Sequence, residues 1–209
     1  MLESIREILV LTDYIIWYYL NTVWTSDFLD AVIPYFRNQW TWAPLYLFLL
    51  VFMVSNFRLT GFIWCLFFLA TFGLSDQLSA SLFKELFQRL RPCNNPHLQS
   101  IVHIIVPCGS GYSFPSSHAT NHFALAVFSL YTMRGVVPGI KFIALFWAAL
   151  VSYSQVYVGV HFPLDIFCGG LLGTACGMLT SRLFHLRFSL SAALGEDPLL
   201  KSPASQPPS

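Results

Sequence analysis

The sequence predicts an all-α protein, a polytopic membrane bundle of about five spanning helices with interfacial helices at its N-terminus. Three observations carry this expectation. Of 209 residues, 56% are hydrophobic and only 10% charged, where a soluble domain has about 25% charged. The mean hydropathy is +0.61. The apolar residues also collect in long runs separated by short polar turns, as expected of helices that satisfy their own backbone groups in lipid. A net charge of +1 without any basic run argues against a nucleic-acid partner. The N-terminus reads as carrying no signal peptide: residues 1–7 are mixed in charge, and no small-residue cleavage site follows the apolar run.

Residues 5–20 are apolar and rich in Tyr and Trp, but Asp13 interrupts them. Residues 26–36 put Phe28, Leu29, Val32, Ile33 and Phe36 on one helical face, with Asp27 and Asp30 off it. That pattern suits a helix lying in the interface. Both segments are read that way; residues 5–20 would form a sixth span if they crossed. The first span is Trp40–Val54, anchored by Trp40 and Trp42. It is short for the roughly 20 residues a bilayer needs, so it borrows flanking residues.

A turn at Ser55–Arg58 leads into the second span, Leu59–Phe83, whose far half turns polar at Ser75-Asp76-Gln77. Asp76 lies eight residues before Lys84, which puts both roughly on one face. It reads equally as a satisfied interior carboxylate or as part of a polar pathway. A Pro- and Gly-containing loop covers residues 92–117. The third span is His118–Met133, the fourth Phe142–Val158 and the fifth Pro163–Phe184, with a turn at 134–141. Gly169, Gly173 and Gly177 form a small-xxx-small run, read as close helix packing. Residues 1–187 are one domain; residues 188–209, rich in Ser and Pro, are a disordered cytoplasmic tail. No internal repeat is present.

Five spans put the 55–58 turn, the 134–141 turn and the C-terminus on one side, with Arg58, Arg134, Lys141, Arg182, Arg187 and Lys201. The other side carries Arg6, Arg37, Lys84, Arg89 and Arg91. The counts are close, but Lys84 and Arg91 have a chemical reason to be where they are. The first side is therefore read as cytoplasmic, in an inner membrane whose extracytoplasmic, periplasmic side bears the polar stretches. Cys93 and Cys108 share the long loop on that side, where an oxidising compartment permits a bridge. The sequence leaves the bridged and free forms open. Cys65, Cys168 and Cys176 lie in spans and read as small buried apolar residues.

Three polar stretches end apolar segments on one side. Ser154-Gln-Val-Tyr-Val-Gly-Val-His-Phe-Pro-Leu-Asp165 joins two spans. Pro163 marks a helix start, so Asp165 falls in the first turn and His161 just before it, on the same side. A carboxylate there accepts a hydrogen bond from one imidazole nitrogen and leaves the other as a nucleophile. Lys84 to Arg91-Pro92 supplies cations suited to phosphate oxygens. Phe114-Pro115-Ser116-Ser117-His118 opens a span whose first N–H groups form an anion site, with His118 as a second histidine able to protonate a leaving oxygen. No cluster has the spacing of a metal site. Side-chain cations then have to stabilise the developing charge, and no cofactor is implied.

These stretches resemble the type-2 phosphatidic acid phosphatase superfamily of lipid phosphatases and vanadium haloperoxidases. Its Lys-x6-Arg-Pro motif is matched by Lys84, Arg91 and Pro92. Its Pro-Ser-Gly-His motif is matched by Pro115, Ser116 and His118, with Ser117 replacing glycine. Its Ser-Arg-x5-His-x3-Asp motif is matched by Ser154, His161 and Asp165, with Gln155 replacing arginine. The resemblance covers residues 84–165 and implies a metal-independent hydrolase working through a phosphohistidine. His161 would be the nucleophile, Asp165 its orienting partner and His118 the general acid. Lys84, Arg91, Ser116, Ser117 and Gln155 would face the phosphate.

Gln155 removes a cation. A charged hydrogen bond contributes roughly 1.5–3 kcal/mol and a neutral one about 1, so the expected cost is of order tenfold. The implied partners are the bilayer and a membrane lipid phosphate; oligomeric state is not addressed. An undecaprenyl diphosphate phosphatase is the first expectation. Phosphatidylglycerophosphate, phosphatidate and lipid A phosphatases are alternatives, and a phosphate-binding or transport protein is the non-enzymatic one. A haloperoxidase is typically soluble, which five spans oppose. His97 and His103 are expected in the loop, His122 in packing, and His185 on the cytoplasmic side.

Overall fold

The computed structural model describes residues 2–195, whose regular elements are all helical, with no strand among them. Helix α1 (Leu2–Tyr18) widens into a π-type turn at Tyr19–Val23. Helix α2 (Asp27–Arg37) begins at Ser26, whose hydroxyl accepts the Leu29 N–H as an N-cap. A 3₁₀ turn at Gln39–Trp42 then leads into α3 (Ala43–Asp76).

Helix α3 is two limbs rather than one rod. Arg58 leaves helical geometry, with φ 50° and ψ −124°. A Cβ at Gly61 would lie 1.9 Å from the Met53 carbonyl oxygen, and the Tyr46 and Phe68 rings lie 6.3 Å apart. Pairs 53/61 and 46/68 have the same sum, the register of an antiparallel hairpin about residue 57. Only glycine permits the approach at 61. The turn expected at 55–58 is thus concentrated at Arg58.

Past Asp76 the chain continues through π-type turns at Gln77–Phe83 into the short α4 (Lys84–Phe87). The rest is α5 (Ser117–Met133), α6 (Ile140–Tyr157), α7 (Pro163–His185) and α8 (Leu190–Gly195). Among the described residues, three stretches are long and apolar enough to cross a membrane: Gln39–Asn94, Ile140–Tyr157 and Pro163–His185. The first has 56 residues, far more than the ~20 one crossing needs, and its hairpin makes it two passages. With the 17-residue α5 the described residues make about five.

Packing brings the correct helix ends together. A Cβ at Gly169, Gly173 or Gly177 would lie 2.7, 2.1 or 2.4 Å from the carbonyl oxygens of Ser116, Thr120 and Ala124 respectively. Both series advance by four residues, so α5 and α7 run parallel with their backbones in close contact. The glycines are there for packing. The distal limb of α3 runs antiparallel to both helices. Trp64 Nε1 donates to Thr132 Oγ1 at 2.7 Å, Ser75 Oγ to Asn121 Oδ1 at 2.7 Å, and Thr71 Oγ1 to Thr180 Oγ1 at 2.8 Å. The end of α3 and the starts of α5 and α7 therefore share one end of the bundle.

The N-terminal helices dock on that same end through polar anchors. Buried Asn21 donates to the carbonyls of His103 (2.8 Å) and Tyr157 (2.7 Å) and accepts the His103 N–H (3.0 Å). Asp30 accepts from Tyr157 Oη (2.6 Å) and pairs with His103 Nε2 (2.9 Å). These bonds hold the Asp30 carboxyl below its ordinary range against the opposing effect of burial. Asp30, expected off the buried face, is in fact one of the anchors. The outer side of α1 still exposes Ile8, Leu9, Leu11 and Ile15, consistent with apolar surroundings. In the loop, Cys93 and Cys108 are bridged, with Cα atoms 5.9 Å apart.

The expected tail requires one correction. Residues 190–195 are helical, and Leu190 is buried against Met53, Phe57, Met133 and Phe184. A short apolar stretch, Leu190 to Leu194, finds a groove that composition alone does not reveal. The remainder of that tail, 196–209, lies outside the described residues.

Candidate active site

His161 is placed by the way α6 ends. Gly159 has φ +80° and donates its N–H to the Val156 carbonyl, closing the helix with a left-handed residue. A Cβ there would lie 2.9 Å from the His103 carbonyl oxygen, a second reason for glycine. The N–H groups of Val160 and His161 both reach back to the Gln155 carbonyl at 3.2 Å. The next helix starts at Pro163, as expected. Asp165 Oδ2 accepts the Phe162 N–H at 2.9 Å and faces His161 Nδ1 at 3.4 Å. His161 is 2% exposed and Asp165 0%.

Two things follow for His161. With Nδ1 toward a carboxylate, the proton belongs on Nδ1 and the lone pair on Nε2. Burial is the main influence pulling its pKa down, to about 4; Asp165 opposes this, while Arg91 and Lys84 add to it. The ring is therefore neutral at pH 7, as a nucleophile must be.

Arg91 stands opposite that lone pair, with Nη1 3.4 Å from His161 Nε2 and 3.4 Å from the Val160 carbonyl. Its Nε is buried without a partner, and so is Ser117 Oγ. Buried donors of this kind are rare unless something fills them, and a tetrahedral oxyanion would accept from both. Lys84 opens α4 in electrostatic reach of His161. His118 is the second residue of α5, where N–H groups have no intrahelical acceptor.

Ser116 acts differently from Ser117. Its Oγ accepts the Ala119 N–H at 3.4 Å as the cap of α5, and its own N–H donates to the Asp165 carbonyl at 3.0 Å. It fixes the α5 start to the α7 start. Gln155 is 0% exposed, and its side chain bonds Ser154 Oγ at 3.3 Å while Oε1 has no partner. The structure thus joins Arg91, His161 and Asp165 by direct contacts and sets Lys84, His118 and Ser117 around them. The Gln155 side chain is held by Ser154.

Two residues beyond the three motifs belong to the same network. Arg89 Nη1 donates to Asp165 Oδ1 at 2.7 Å and Nη2 to Asp13 Oδ2 at 2.5 Å. Asp13 Oδ1 accepts the Leu164 N–H at 2.7 Å, giving α7 a cap from α1 that Phe162 cannot supply. The available signal was Asp13 itself, a lone carboxylate in an apolar run.

On the other side of His118 lies a cavity of about 420 Å³. Arg37, Asp76, His118, His122 and the rings of Phe68 and Phe72 line it. Asp76 Oδ1 accepts from Asn121 Nδ2 at 2.9 Å. His122 donates Nδ1–H to the His118 carbonyl at 2.8 Å and packs on Trp147 at 4.7 Å, leaving Nε2 buried and unpartnered. His103 is structural, as described for α2, and His97 contributes only its backbone N–H, to Asn95.

Comparison with known proteins identifies the family. The family model of the PAP2 superfamily matches residues 61–189. The chain is 32% identical over 175 residues to a lipid A 4'-phosphatase of Bacteroides thetaiotaomicron, covering 82% of this chain and 76% of the relative. It is 30% identical to an undecaprenyl-diphosphatase of Sulfolobus acidocaldarius over 78% of this chain and 73% of the relative. The fold is similar to the crystal structure of a transmembrane PAP2 type phosphatidylglycerolphosphate phosphatase from Bacillus subtilis, with TM-score 0.69, 23% identity, and 87% and 88% of the two chains covered. The superfamily model spans more than half of the chain, and the lipid A 4'-phosphatase relative is aligned over most of it: the chain belongs to the PAP2 superfamily and is a membrane hydrolase of lipid phosphates.

Proposed function

We propose that the chain removes a phosphate from a lipid A-type lipid through a phosphohistidine on His161. The observation that carries the mechanism is the imidazole set between two charged groups, with Asp165 3.4 Å from Nδ1 and Arg91 3.4 Å from Nε2. Nε2 attacks phosphorus, forming the N–P bond as the ester P–O bond breaks. His118 enters the step as imidazolium, its proton taken up from solvent with the bound phosphate anion beside it, and gives that proton to the leaving oxygen. Water, deprotonated by His118, then splits the N–P bond and restores both residues. Arg91, Lys84, Ser117 Oγ and the first N–H groups of α5 hold the equatorial oxygens. Ser116 supports this indirectly by fixing α5.

The sequence alone favours undecaprenyl diphosphate. Lipid A comes first on two grounds. The lipid A 4'-phosphatase relative has the higher identity and coverage. The cavity beside His118 also offers spare acceptors, Asp76 and His122 Nε2, between aromatic walls, which suit the hydroxyl groups of a sugar leaving group. A second reading keeps undecaprenyl diphosphate, because Arg37 in the same cavity suits an anionic leaving phosphate. The charge distribution of the loops supports a site on the extracytoplasmic side.

Phosphate release by purified protein in detergent, with chelator, tests this on lipid A, undecaprenyl diphosphate, phosphatidylglycerophosphate and phosphatidate in parallel. The expected result is fastest release from lipid A, unaffected by chelator and absent in His161→Ala. Release from undecaprenyl diphosphate alone reverses the substrate order. Undiminished turnover in His161→Ala removes the phosphohistidine mechanism.

A further inference from the structure

We infer that Asp13 and Arg89 are positioning residues for the nucleophile: α1 reaches across the bundle end, and through Arg89 it sets the orientation and effective charge of Asp165. The inference rests on the reading of His161 as nucleophile. Asp13 lies outside residues 61–189, the part matched by the superfamily.

The local backbone makes this possible. After α4 the chain runs without helix through Arg89-Leu90-Arg91, and Arg91 is extended at φ −69° and ψ 151°. Free of helical geometry, the segment can send both arginine side chains to the same neighbouring pair. Both arginines thus face the His161–Asp165 pair, one at each end. Arg91 meets the reactive Nε2 at 3.4 Å, and Arg89 meets the outer Asp165 oxygen at 2.7 Å.

Arg89 divides its planar fork between two carboxylates, which a lysine cannot do in the same geometry. The Asp13–Arg89–Asp165 row carries one net negative charge behind His161. Without Asp13, Arg89 would neutralise Asp165 and weaken its hold on the imidazole proton. Without Arg89, two carboxylates would lie close with nothing between them.

Helix α1 supplies more than the carboxylate. Tyr14 and Trp17 join Asp13 on one face and pack the Phe162 ring at 4.9 and 5.8 Å. The Arg89 guanidinium carbon lies 4.0 Å above that same ring, a cation–π contact that keeps the fork in plane. Charged and titratable groups face His161 from every neighbouring element: Asp165 of α7, Lys84 of α4, Arg91 of the following segment and His118 of α5. Behind Asp165 stand Arg89 and Asp13.

The two charges act on His161 with opposite sign, and a merely structural role would not. The experiment measures kcat and KM against pH for Asp13→Asn, Arg89→Gln and Arg89→Lys, using full-length protein in detergent and phosphate release from lipid A, or from whichever lipid of the four-lipid panel the wild type hydrolyses fastest. Rates are normalised to the folded fraction from thermal unfolding. Removing the Asp13 charge makes imidazolium less stable, so the acid limb of kcat moves to lower pH. Removing the Arg89 charge moves it to higher pH. Each shift is expected to be about half a pH unit to one unit.

In all three variants kcat falls about tenfold with KM within about twofold, the pattern of a lost transition-state contribution. Arg89→Lys keeps the charge, so its acid limb stays near wild type while kcat remains low. Asp13→Asn keeps an oxygen for the Leu164 N–H and decides the matter alone if Arg89→Gln does not fold. Acid limbs that stay in place, or move in the same direction in both charge-removing variants, overturn the inference. An active His161→Ala protein overturns the nucleophile assignment instead, which keeps the two failures distinct.

Discussion

The two sides of this site are built differently. Behind His161 the polar groups are closely interlinked: Asp165 accepts from Phe162 N–H and Arg89, Arg89 from its other nitrogen meets Asp13, and Asp13 caps α7. Around His118 there is open space, and two lining groups, Asp76 and His122, keep unused hydrogen-bonding capacity. The nucleophile must be held in one orientation in every turnover, because misplacement of about 1 Å can cost roughly 10²-fold. The leaving group is what distinguishes one lipid phosphate from another, so its side must fit a particular headgroup. One half therefore sets the chemistry and the other sets selectivity.

Substitutions can break this division. His161→Ala should lower phosphate release at least about 10³-fold on every substrate, since no other group supplies the attacking nitrogen. Partial activity with a changed substrate order would erase the distinction between the halves. His118→Gln should cost roughly 10²–10⁴-fold on an alkyl or sugar phosphate, and much less on an aryl phosphate whose leaving oxygen needs no proton. Equal losses on both would show that His118 is not the acid. Both are read from rates of phosphate release by purified protein.

Smaller changes sharpen the comparison. His122→Phe and Asp76→Asn should each raise KM for the preferred lipid about tenfold, the scale of one lost hydrogen bond to a charged or buried group. They should leave KM for a small aryl phosphate unchanged. Gln155→Arg restores the cation of the family motif and should raise kcat/KM by up to about tenfold. No gain on any lipid phosphate would mean that a side chain held by Ser154 does not reach the anion. The smallest effect is that of pH. The folded-state pKa of His161 is depressed, to about 4, so the unfolded chain takes up this proton first. Its contribution to stability is complete above the ordinary value of 6.5 and is lost as pH falls through about 4. Single-turnover phosphorylation should be flat from pH 7 to 6 and about halved near pH 4. Loss already centred near pH 6.5 would mean that the nucleophile is not desolvated.

Much of the fold was legible because membrane helices announce themselves by composition and length. The hairpin of α3, the helix starts at Ser117 and Pro163 and the packing glycines all follow from local rules. What was less legible is contact between distant residues. Arg89 counted only as one charge among several, and Asp13 only as a break in an apolar run. Their partners lie 76 and 151 residues away in the chain, and no periodicity encodes such a pair. The helix at 190–195 was not legible for a related reason: Ser and Pro nearby set the composition, while its one buried leucine depends on a groove formed by three other helices.

By itself, the sequence determined that the chain is a helical membrane bundle and which side chains can do phosphate chemistry. Hydrophobicity and motif spacing are properties of neighbouring residues, and they survive without coordinates. Only the tertiary structure decided that Arg91 meets His161 Nε2, that Ser116 caps while Ser117 keeps a free hydroxyl, and that Arg89 ties α1 to Asp165. Hydrogen bonds and ion pairs act over about 3 Å. Which groups come that close is set by packing the whole bundle, not by any stretch of chain.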